Sequence, residues 1–411
     1  MMKTTTPLPR NLASFSKTPL EYLGGLTPER FMRSYWQKKP LIVRGAFPGW
    51  GGSAKASRPI DENEVFALCT DERLSTRFVD ASFAVRHGPF RRRQLPSLKT
   101  SGWTVLVQQT NTVWPAATTF LDHFRFIPDC RLDDLMVSLA SDQGGIGAHV
   151  DSYDVFLIQA YGCRRWEIAE VFQPEIKENL DLKILKQFKP EASYDMQPGD
   201  LLYLPPGVAH RGTALGSGCI TYSVGFRAAN RLEIADESVM AHLNELTDKP
   251  WQDPWLAATN QPSHIPARLL KIMTNEVMAC LPTRQQVEDQ VIARLSEPSN
   301  SVYFDAPGLN AKSQARFKTR LENGGQIQLS LGSRILIYDK RVAMNGELLP
   351  LSALPAKLLS KAIACLETLA QTRKLGPNYC GAIVTNPAIL EIFYKIYLAG
   401  FIRILEKNKR S

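Results

Sequence analysis

The spacing of apolar and polar positions changes along this chain, and each change predicts a different kind of structure. Near the N-terminus, "LTPERFMRSYWQKKPLIVRGAF" places Phe31, Tyr35 and Trp36 at helical spacing. Thr27 is suited to cap that helix and Pro28 to occupy its first turn. Pro40 is expected to end it, and "LIVRG" reads as a short strand. From about Trp103 to Phe226 the chain becomes a series of short apolar runs divided by Gly and Pro: "WTVLVQQ", "LMVSLA", "DVFLIQAYG", "RRWEIAE", "DLLYLPPG" and "ITYSVGF". That pattern predicts an antiparallel sandwich or barrel. Helical spacing returns from Arg231 to about Leu295, where "ARLLKIMTNEVMACL" carries an apolar stripe, and "SEPSNS" follows as a linker. The tail holds two strands, "QIQLSLG" and "RILIYDK", and an Asn345-Gly346 pair suited to a hairpin turn. Two apolar helices then start at Pro355 and Pro387, the second capped by Asn386. This is the texture of a small α+β module of winged-helix type.

Candidate chemistry sits in the strand-rich middle. Residues two apart on a strand share a face. His149 and Asp151, in "GAHVDSYDVFLIQAYGCRRWEI", therefore project together, with Tyr153 beside them. Downstream, "MQPGDLLYLPPGVAHRGTA" gives a turn at Pro198-Gly199-Asp200, a buried strand, and a second turn that delivers His210. Two histidines and one carboxylate form the facial set that holds non-haem Fe(II) with positions open for a co-substrate and dioxygen. A His-x-Asp pair alone is weak, since it arises by chance and a single buried histidine is usually structural. The weight lies in its combination with the strand-turn before His210 and with Arg164. That residue falls 15 positions after His149 and is expected on the following strand. Its guanidinium suits a bidentate grip on a carboxylate, here the distal carboxylate of 2-oxoglutarate; a surface salt bridge is the alternative. Arg164 shares parity with Trp166 and Ile168 and is expected to face inward, while Arg165 faces out. In "DDLMVSLAS", Asp134, Met136 and Ser138 share one face. Ser138 is placed to donate to the same co-substrate carboxylate. Asp134 would point into the barrel, which is unfavourable without a cation. That cation is either a substrate guanidinium or ammonium, or an internal arginine.

Composition narrows the class. A chain of 411 residues exceeds one ordinary core and implies two or three domains. With 44% hydrophobic and 22% charged residues it reads as a soluble globular protein. It contains no unbroken apolar run of about 18 residues, the length of a membrane span. The first residues lack the apolar core of a signal peptide and read as a flexible arm. Seven cysteines, Cys69, Cys130, Cys163, Cys219, Cys280, Cys365 and Cys380, are scattered without a Cys-x-x-Cys pair. That argues against a structural zinc site and suits a reducing cytoplasm. The net charge of +9 is concentrated late: Ala311–Ser411 carries 16 Lys and Arg against 6 Asp and Glu. Such a region either approaches RNA or is simply a solvated basic surface.

Together, "YWQKKPLIVRGAF", "HVDSYDVFLIQAYGCRRW", "QPGDLLYLPPGVAH" and "YSVGFRA" resemble the bacterial JmjC-type ribosomal oxygenases. These are Fe(II)- and 2-oxoglutarate-dependent hydroxylases, and the likeness is nearest to those acting on the β-carbon of an arginine in a large-subunit ribosomal protein. The resemblance implies a mainly β fold with helices: a double-stranded β-helix (cupin, jelly-roll JmjC) barrel, a helical dimerisation segment and a winged-helix-like domain. The corresponding spans are 1–228, 229–299 and 300–411. It implies iron at His149, Asp151 and His210, 2-oxoglutarate at Arg164 and Ser138, and the substrate arginine at Asp134, Met136, Tyr153 and Ser223. It also implies a ribosomal protein substrate; the apolar stripes between Arg231 and Leu295 predict a homodimer, the scattered cysteines a cytoplasmic location and the basic tail a contact to ribosomal RNA. Thr221 in "CITYSVGF" departs from the pattern, where an amide side chain is expected, and the arm before Leu20 is longer than the family needs. Two other readings stay open: a cupin metalloenzyme that does not use 2-oxoglutarate, and a non-catalytic ribosome- or RNA-binding protein on the same fold.

Overall fold

The first α-helix of the described chain runs Pro28–Ser34, with the Thr27 hydroxyl accepting from the Arg30 amide at 3.2 Å. It ends before Pro40, because Gln37 takes a left-handed conformation at φ 56°. The Gln37 amide donates to the Tyr203 hydroxyl at 2.8 Å and its side-chain amide donates to Asp154 at 2.9 Å. This exit aligns β1 (Leu41–Val43) antiparallel to β9 (Leu201–Leu204). The computed structural model describes residues 16–51, 59–227, 229–298, 302–308 and 313–406. The expected arm up to residue 15 and the linker residues 299–301 lie outside the described residues.

The described chain divides into two compact units, Met1–Ala228 with Ser299–Phe304, and Ala229–Pro298 with Asp305–Ser411. The first unit is built on one antiparallel sheet. Its further strands are β2 (Thr76–Val79), β3 (Val85–His87), β4 (Thr104–Val107), β5 (Leu132–Ala140), β6 (His149–Val150), β7 (Val155–Ala169), β8 (Ala192–Met196) and β10 (Ala209–Phe226). The order is β1-β9-β7-β10-β5-β4-β2-β3, with β6 joined to β10 and β8 to β7.

Two strands give the sheet its barrel form. The runs "DVFLIQAYG" and "RRWEIAE", expected as separate strands, form the single 15-residue β7, and it pairs with the 18-residue β10 along nearly its whole length. Both bend at one level. The register shifts between Leu215 and Thr221, and Gly162 turns at φ +67°, where an added Cβ would lie 3.1 Å from the Cys219 Cα. Before the bend, β7 pairs with β9 and the matching half of β10 pairs with β5. Beyond it, β7 pairs with β8 and the other half of β10 with β6. The same strands thus serve both walls, which is the double-stranded β-helix arrangement.

Alternation sorts the faces. Leu135, Val137, Leu139, Phe156, Ile158, Tyr222 and Val224 turn outward and pack with Phe31, Phe66 and Phe124 into the main core. Val155, Leu157, Trp166, Ile168, Leu202 and Leu204 turn inward and form a second cluster between the walls. The central strands are therefore apolar on both faces except where the cavity lies.

In the second unit, helices Arg231–Glu245 and Arg284–Ser296 are tied by Arg294 with Glu237 at 2.9 Å. The Arg284–Ser296 helix also holds the hairpin of β12 (Ile335–Tyr338) and β13 (Arg341–Met344), through Arg341 with Glu288 and Asp289 at 2.9 and 2.7 Å. Asn345 and Gly346, at φ 51° and 92°, form the expected tight turn, and it joins β13 to β14 (Glu347–Leu348). The run "QIQLSLG" does not join this hairpin; β11 (Gln326–Leu329) pairs instead with β15 (Lys374–Leu375) and β16 (Ile402–Leu405). Helices start at Ala356 and Pro387 as expected, and Gln314–Glu322 and Pro377–Val384 add two more. All four contribute to a core around Phe317, Leu366, Ile383 and Phe393.

Asp154 anchors the seam of the first unit. It is fully buried, accepts from the Tyr203 hydroxyl at 2.7 Å and from Gln37, and lies 3.6 Å from Arg131. Removing one partner from such a buried set leaves the others unpaired. Asp154→Ala is expected to destabilise the protein by about 3 kcal/mol or more in chemical denaturation. A loss below about 1 kcal/mol, the worth of an exposed pair, would contradict this role.

Candidate metal and co-substrate site

The short strand β6 sets His149 directly opposite His210 on β10, so both rings enter the barrel side by side with centroids 4.2 Å apart. Asp151 lies just past the end of β6, held where its backbone carbonyl accepts from the Gly207 amide at 2.9 Å. Its carboxylate lies 3.9 Å from His149 Nε2 and 3.6 Å from His210 Nε2. One ligand atom from each of the three residues falls within 4.8 Å of the others. Each ring is oriented from behind: His149 Nδ1 lies 3.1 Å from the Gly147 carbonyl and His210 Nδ1 3.0 Å from the Val208 carbonyl. The tautomer that satisfies both bonds carries its proton on Nδ1 and turns an Nε2 lone pair to the shared space. Burial and the neighbouring His149 hold the His210 pKa down to about 3, so this ring is neutral across the physiological range. Burial raises the Asp151 pKa, against the opposing effects of His149, Tyr153 and Arg77. Two imidazoles and one carboxylate, all aimed at one point, fit a divalent cation of the Fe(II) type.

The three residues open on a cavity of 360 Å³ that also holds Asp134, Met136, Ser138, Tyr153, Arg164 and Ser223. Strand parity separates the two arginines. Arg165 is outside, paired with Asp195 at 2.6 and 2.8 Å. Arg164 is 4% exposed, with its guanidinium 5.7 Å from the Trp166 ring centroid. Among the described residues, neither Nε nor Nη2 of Arg164 has a hydrogen-bond acceptor. The salt-bridge alternative for Arg164 is therefore not what forms. A buried cation without an acceptor is costly, and an anionic ligand in the cavity would supply the missing partner. The chemistry of the wall fits a carboxylate of 2-oxoglutarate.

Asp134 is fixed by a strained neighbour. Gln109 adopts φ 59° and so directs its backbone amide to the Asp134 carboxylate at 2.8 Å. The internal-arginine alternative is not realised among the described residues: Arg227 pairs with Asp133 at 2.9 Å, and Asp134 forms no ion pair. The carboxylate is reached from the cavity yet enclosed by protein, and burial, reinforced by the charge of Asp133, raises its pKa to about 7. Tyr153 is 40% exposed, and its hydroxyl is among the groups that lower the Asp151 pKa against the effect of burial. Thr221, where an amide was expected, donates its hydroxyl to Gln159 Oε1 at 3.0 Å. The amide stands on the paired strand instead, and its Nε2 is bound to the Tyr161 and Gly162 carbonyls.

The cavity residues not anticipated by the sequence include Arg77, Thr104 and Gln109. Arg77 comes from β2, a strand with no clear alternation. Thr104 lies in a recognised strand, but only its pairing with β5 shows which face it takes.

Residues 119–234 match the family described as the JmjC domain, and this chain carries that domain and is an oxygenase of the JmjC type. It is 29% identical over 390 residues to the "Ribosomal protein uL16 3-hydroxylase" of Escherichia coli K12, covering 93% of this chain and 99% of that one. It is 36% identical to a "Probable ribosomal oxygenase" of Haemophilus influenzae, over 51% of this chain and 52% of the other. An X-ray structure of E. coli YcfD superposes with a TM-score of 0.79 at 26% identity, covering 92% of this chain and 98% of that one. A structure of the same ribosomal oxygenase in complex with cobalt and 2-oxoglutarate gives a TM-score of 0.75 at 25% identity, with the same coverage.

The raised pKa of Asp134 has a consequence for stability. Its folded-state value of about 7 lies above the ordinary 3.8, so ionisation opposes folding. No loss occurs below about pH 4, where folded and unfolded forms are both protonated; the loss grows up to about pH 7 and is constant above. Asp134→Asn removes the ionisation, so its melting temperature relative to the parent should rise over that window and then level off. A difference that does not vary with pH would contradict the burial of this carboxylate.

Proposed function

We propose that this protein is an Fe(II)- and 2-oxoglutarate-dependent hydroxylase that acts on the β-carbon of an arginine in the large-subunit ribosomal protein uL16. One observation carries the reading: Arg164, which among the described residues lacks acceptors for Nε and Nη2, shares a cavity with a two-histidine, one-carboxylate set and with the Asp134 carboxylate, which has no ion-pair partner among those residues. His149, Asp151 and His210 hold the iron, Arg164 and Ser138 hold the distal carboxylate of 2-oxoglutarate, and Asp134, Met136, Tyr153 and Ser223 receive the substrate side chain. Ala214, the cross-strand partner of Arg164, lies four residues beyond His210 on β10, about 13 Å at the rise of a strand. One arginine side chain and one five-carbon dicarboxylate can bridge that gap.

Bound iron and 2-oxoglutarate supply the power to insert one atom of dioxygen into a C–H bond, with succinate and carbon dioxide as the co-products. The chain's own groups supply orientation. The Nδ1 hydrogen bonds fix both imidazoles, and Tyr153 fixes the Asp151 carboxylate. Gln109 holds one Asp134 oxygen and leaves the other for the incoming cation. A permanently charged guanidinium stabilises ionised Asp134, so the cavity selects arginine over a neutral imidazole. The low-dielectric walls, Leu157, Trp166 and Met136, keep bulk water from the reacting carbon.

The first 228 residues form the catalytic domain in this reading, residues 229–299 the dimerisation segment and residues 300–411 the winged-helix-like domain. Helix Ala267–Ala279 buries none of its residues and exposes Leu270, Met273, Val277 and Met278. A second copy of the chain would cover them. The basic excess after Ala311 suits contact with ribosomal RNA. Scattered single cysteines and a ribosomal substrate support a cytoplasmic location. No described helix is long and apolar enough to cross a membrane.

Succinate release measured with and without an arginine-containing uL16 peptide tests the substrate assignment. Asp134→Ala should reduce peptide-stimulated turnover at least tenfold while leaving the slow peptide-independent turnover, which does not involve Asp134. Unchanged peptide hydroxylation would remove Asp134 from the substrate site. Light scattering at micromolar concentration should give twice the chain mass of 46.0 kDa, and a monomer mass would refute the dimer.

A further inference from the structure

We infer that Thr104 is a further anchor of the co-substrate, donating its hydroxyl to the carboxylate that Arg164 holds. The inference rests on the assignment of Arg164 to 2-oxoglutarate and adds a residue from a different strand. Thr104 is 1% exposed and lines the cavity, and its Oγ1 has no hydrogen-bond partner among the described residues. A buried hydroxyl without a partner is unusual in a folded protein and calls for an explanation.

Its position supplies one. Thr104 pairs with Ala140, and Leu106, two residues on, pairs with Ser138, so Thr104 and Ser138 face the same side of adjacent strands. An ideal Cβ on Gly144 would lie 3.0 Å from Thr104 Oγ1, so the turn that follows β5 passes directly over the hydroxyl. The same turn reaches the opposite wall. The Ala214 amide donates to the Gly144 carbonyl at 2.9 Å, and the Gln143 amide donates to the Ala214 carbonyl at 3.0 Å. Ala214 is the strand partner of Arg164. Thr104 and Arg164 therefore arrive at one end of the cavity from its two walls, both with unused donors.

The neighbouring hydroxyls are differently committed. Thr221 has given its proton to Gln159 at 3.0 Å and can only accept, which an anion cannot use. Ser138 makes a long bond of 3.4 Å to the Thr221 carbonyl and can exchange it for a carboxylate. Thr104 has no bond to exchange. The anion cradle at this end is thus Arg164, Ser138 and Thr104, with Thr221 and Gln159 as its braced floor.

Binding to the Co(II)-loaded protein under anaerobic conditions tests this without turnover, by calorimetry with two probes. The first is 2-oxoglutarate; the second is 2-oxobutyrate, which chelates a metal in the same way but lacks the distal carboxylate. A hydrogen bond to a charged group is worth about a tenfold change in affinity or more. Thr104→Val, which keeps shape and removes the hydroxyl, should weaken 2-oxoglutarate by about tenfold or more and leave 2-oxobutyrate unchanged. Thr104→Ser should restore the affinity, and neither variant should lower the melting temperature. Parental affinity for 2-oxoglutarate in Thr104→Val, or equal weakening of both probes, overturns the inference. Arg164→Ala serves as the reference. If it leaves 2-oxoglutarate binding intact, the assignment of Arg164 itself fails and Thr104 falls with it; if Arg164→Ala weakens binding and Thr104→Val does not, only the Thr104 inference is lost.

Discussion

The bend shared by β7 and β10 is the constraint on which the site depends. Each strand crosses from one wall of the barrel to the other at the level of Gly162 and the Leu215–Thr221 register shift. Before the bend the inward face presents Leu157, Thr221 and Ser223, beside Asp134, Met136 and Ser138 on β5. Beyond it the inward face presents Arg164, Trp166 and His210. The end that carries His149, Asp151 and His210 and the end that carries Arg164 thus face a third, acidic corner at Asp134 on β5 across one cavity. A side chain at Gly162 would meet the Cys219 backbone and strain the left-handed turn, so the bend is set by backbone geometry rather than by the residues of the site.

Within that frame the cavity concentrates unpaired polar groups, Arg164, Thr104 and the Trp166 indole N–H among them. Elsewhere the buried charges are satisfied, as Asp154 is by Tyr203, Gln37 and Arg131, and Asp200 by Arg44 and the Gly45 amide. Among the described residues around the cavity, Arg164 lacks acceptors for two of its nitrogens, the Thr104 hydroxyl lacks a hydrogen-bond partner, and Asp134 has one backbone donor and no ion pair. Each deficit is complementary to one part of a ternary set: a dicarboxylate co-substrate, a divalent metal and a cationic side chain. The folded chain carries these deficits because the seam and the outward core are fully packed.

Local periodicity made part of this readable from the sequence. The pairing of His149 with Asp151 and the opposite senses of Arg164 and Arg165 follow from alternation over a few residues, as does the common face of Asp134, Met136 and Ser138, and His210 follows from the turn that precedes it. What escaped depends on register between distant strands or on unusual backbone. Thr104 acquires meaning only when β4 is set against β5. The displaced amide at Gln159 is visible only once Thr221 is seen opposite it. The helix after Thr27 ends early because Gln37 turns left-handed to reach Tyr203, and Asp134 is oriented by Gln109 in the same conformation; neither glutamine announces such a turn. Gly162-Cys163 looked like a break between strands, and it is a bend within one.

The central claim is that this cavity couples 2-oxoglutarate oxidation to hydroxylation of a cationic side chain held by Asp134. Mass spectrometry of an arginine-containing uL16 peptide, incubated with the protein, Fe(II), 2-oxoglutarate and isotopically labelled dioxygen, tests it most directly. The account expects one labelled oxygen on the arginine β-carbon, and none when Asp151 is replaced by alanine. Succinate formation with no oxygen on the arginine, or a labelled oxygen that survives loss of Asp151, would contradict it.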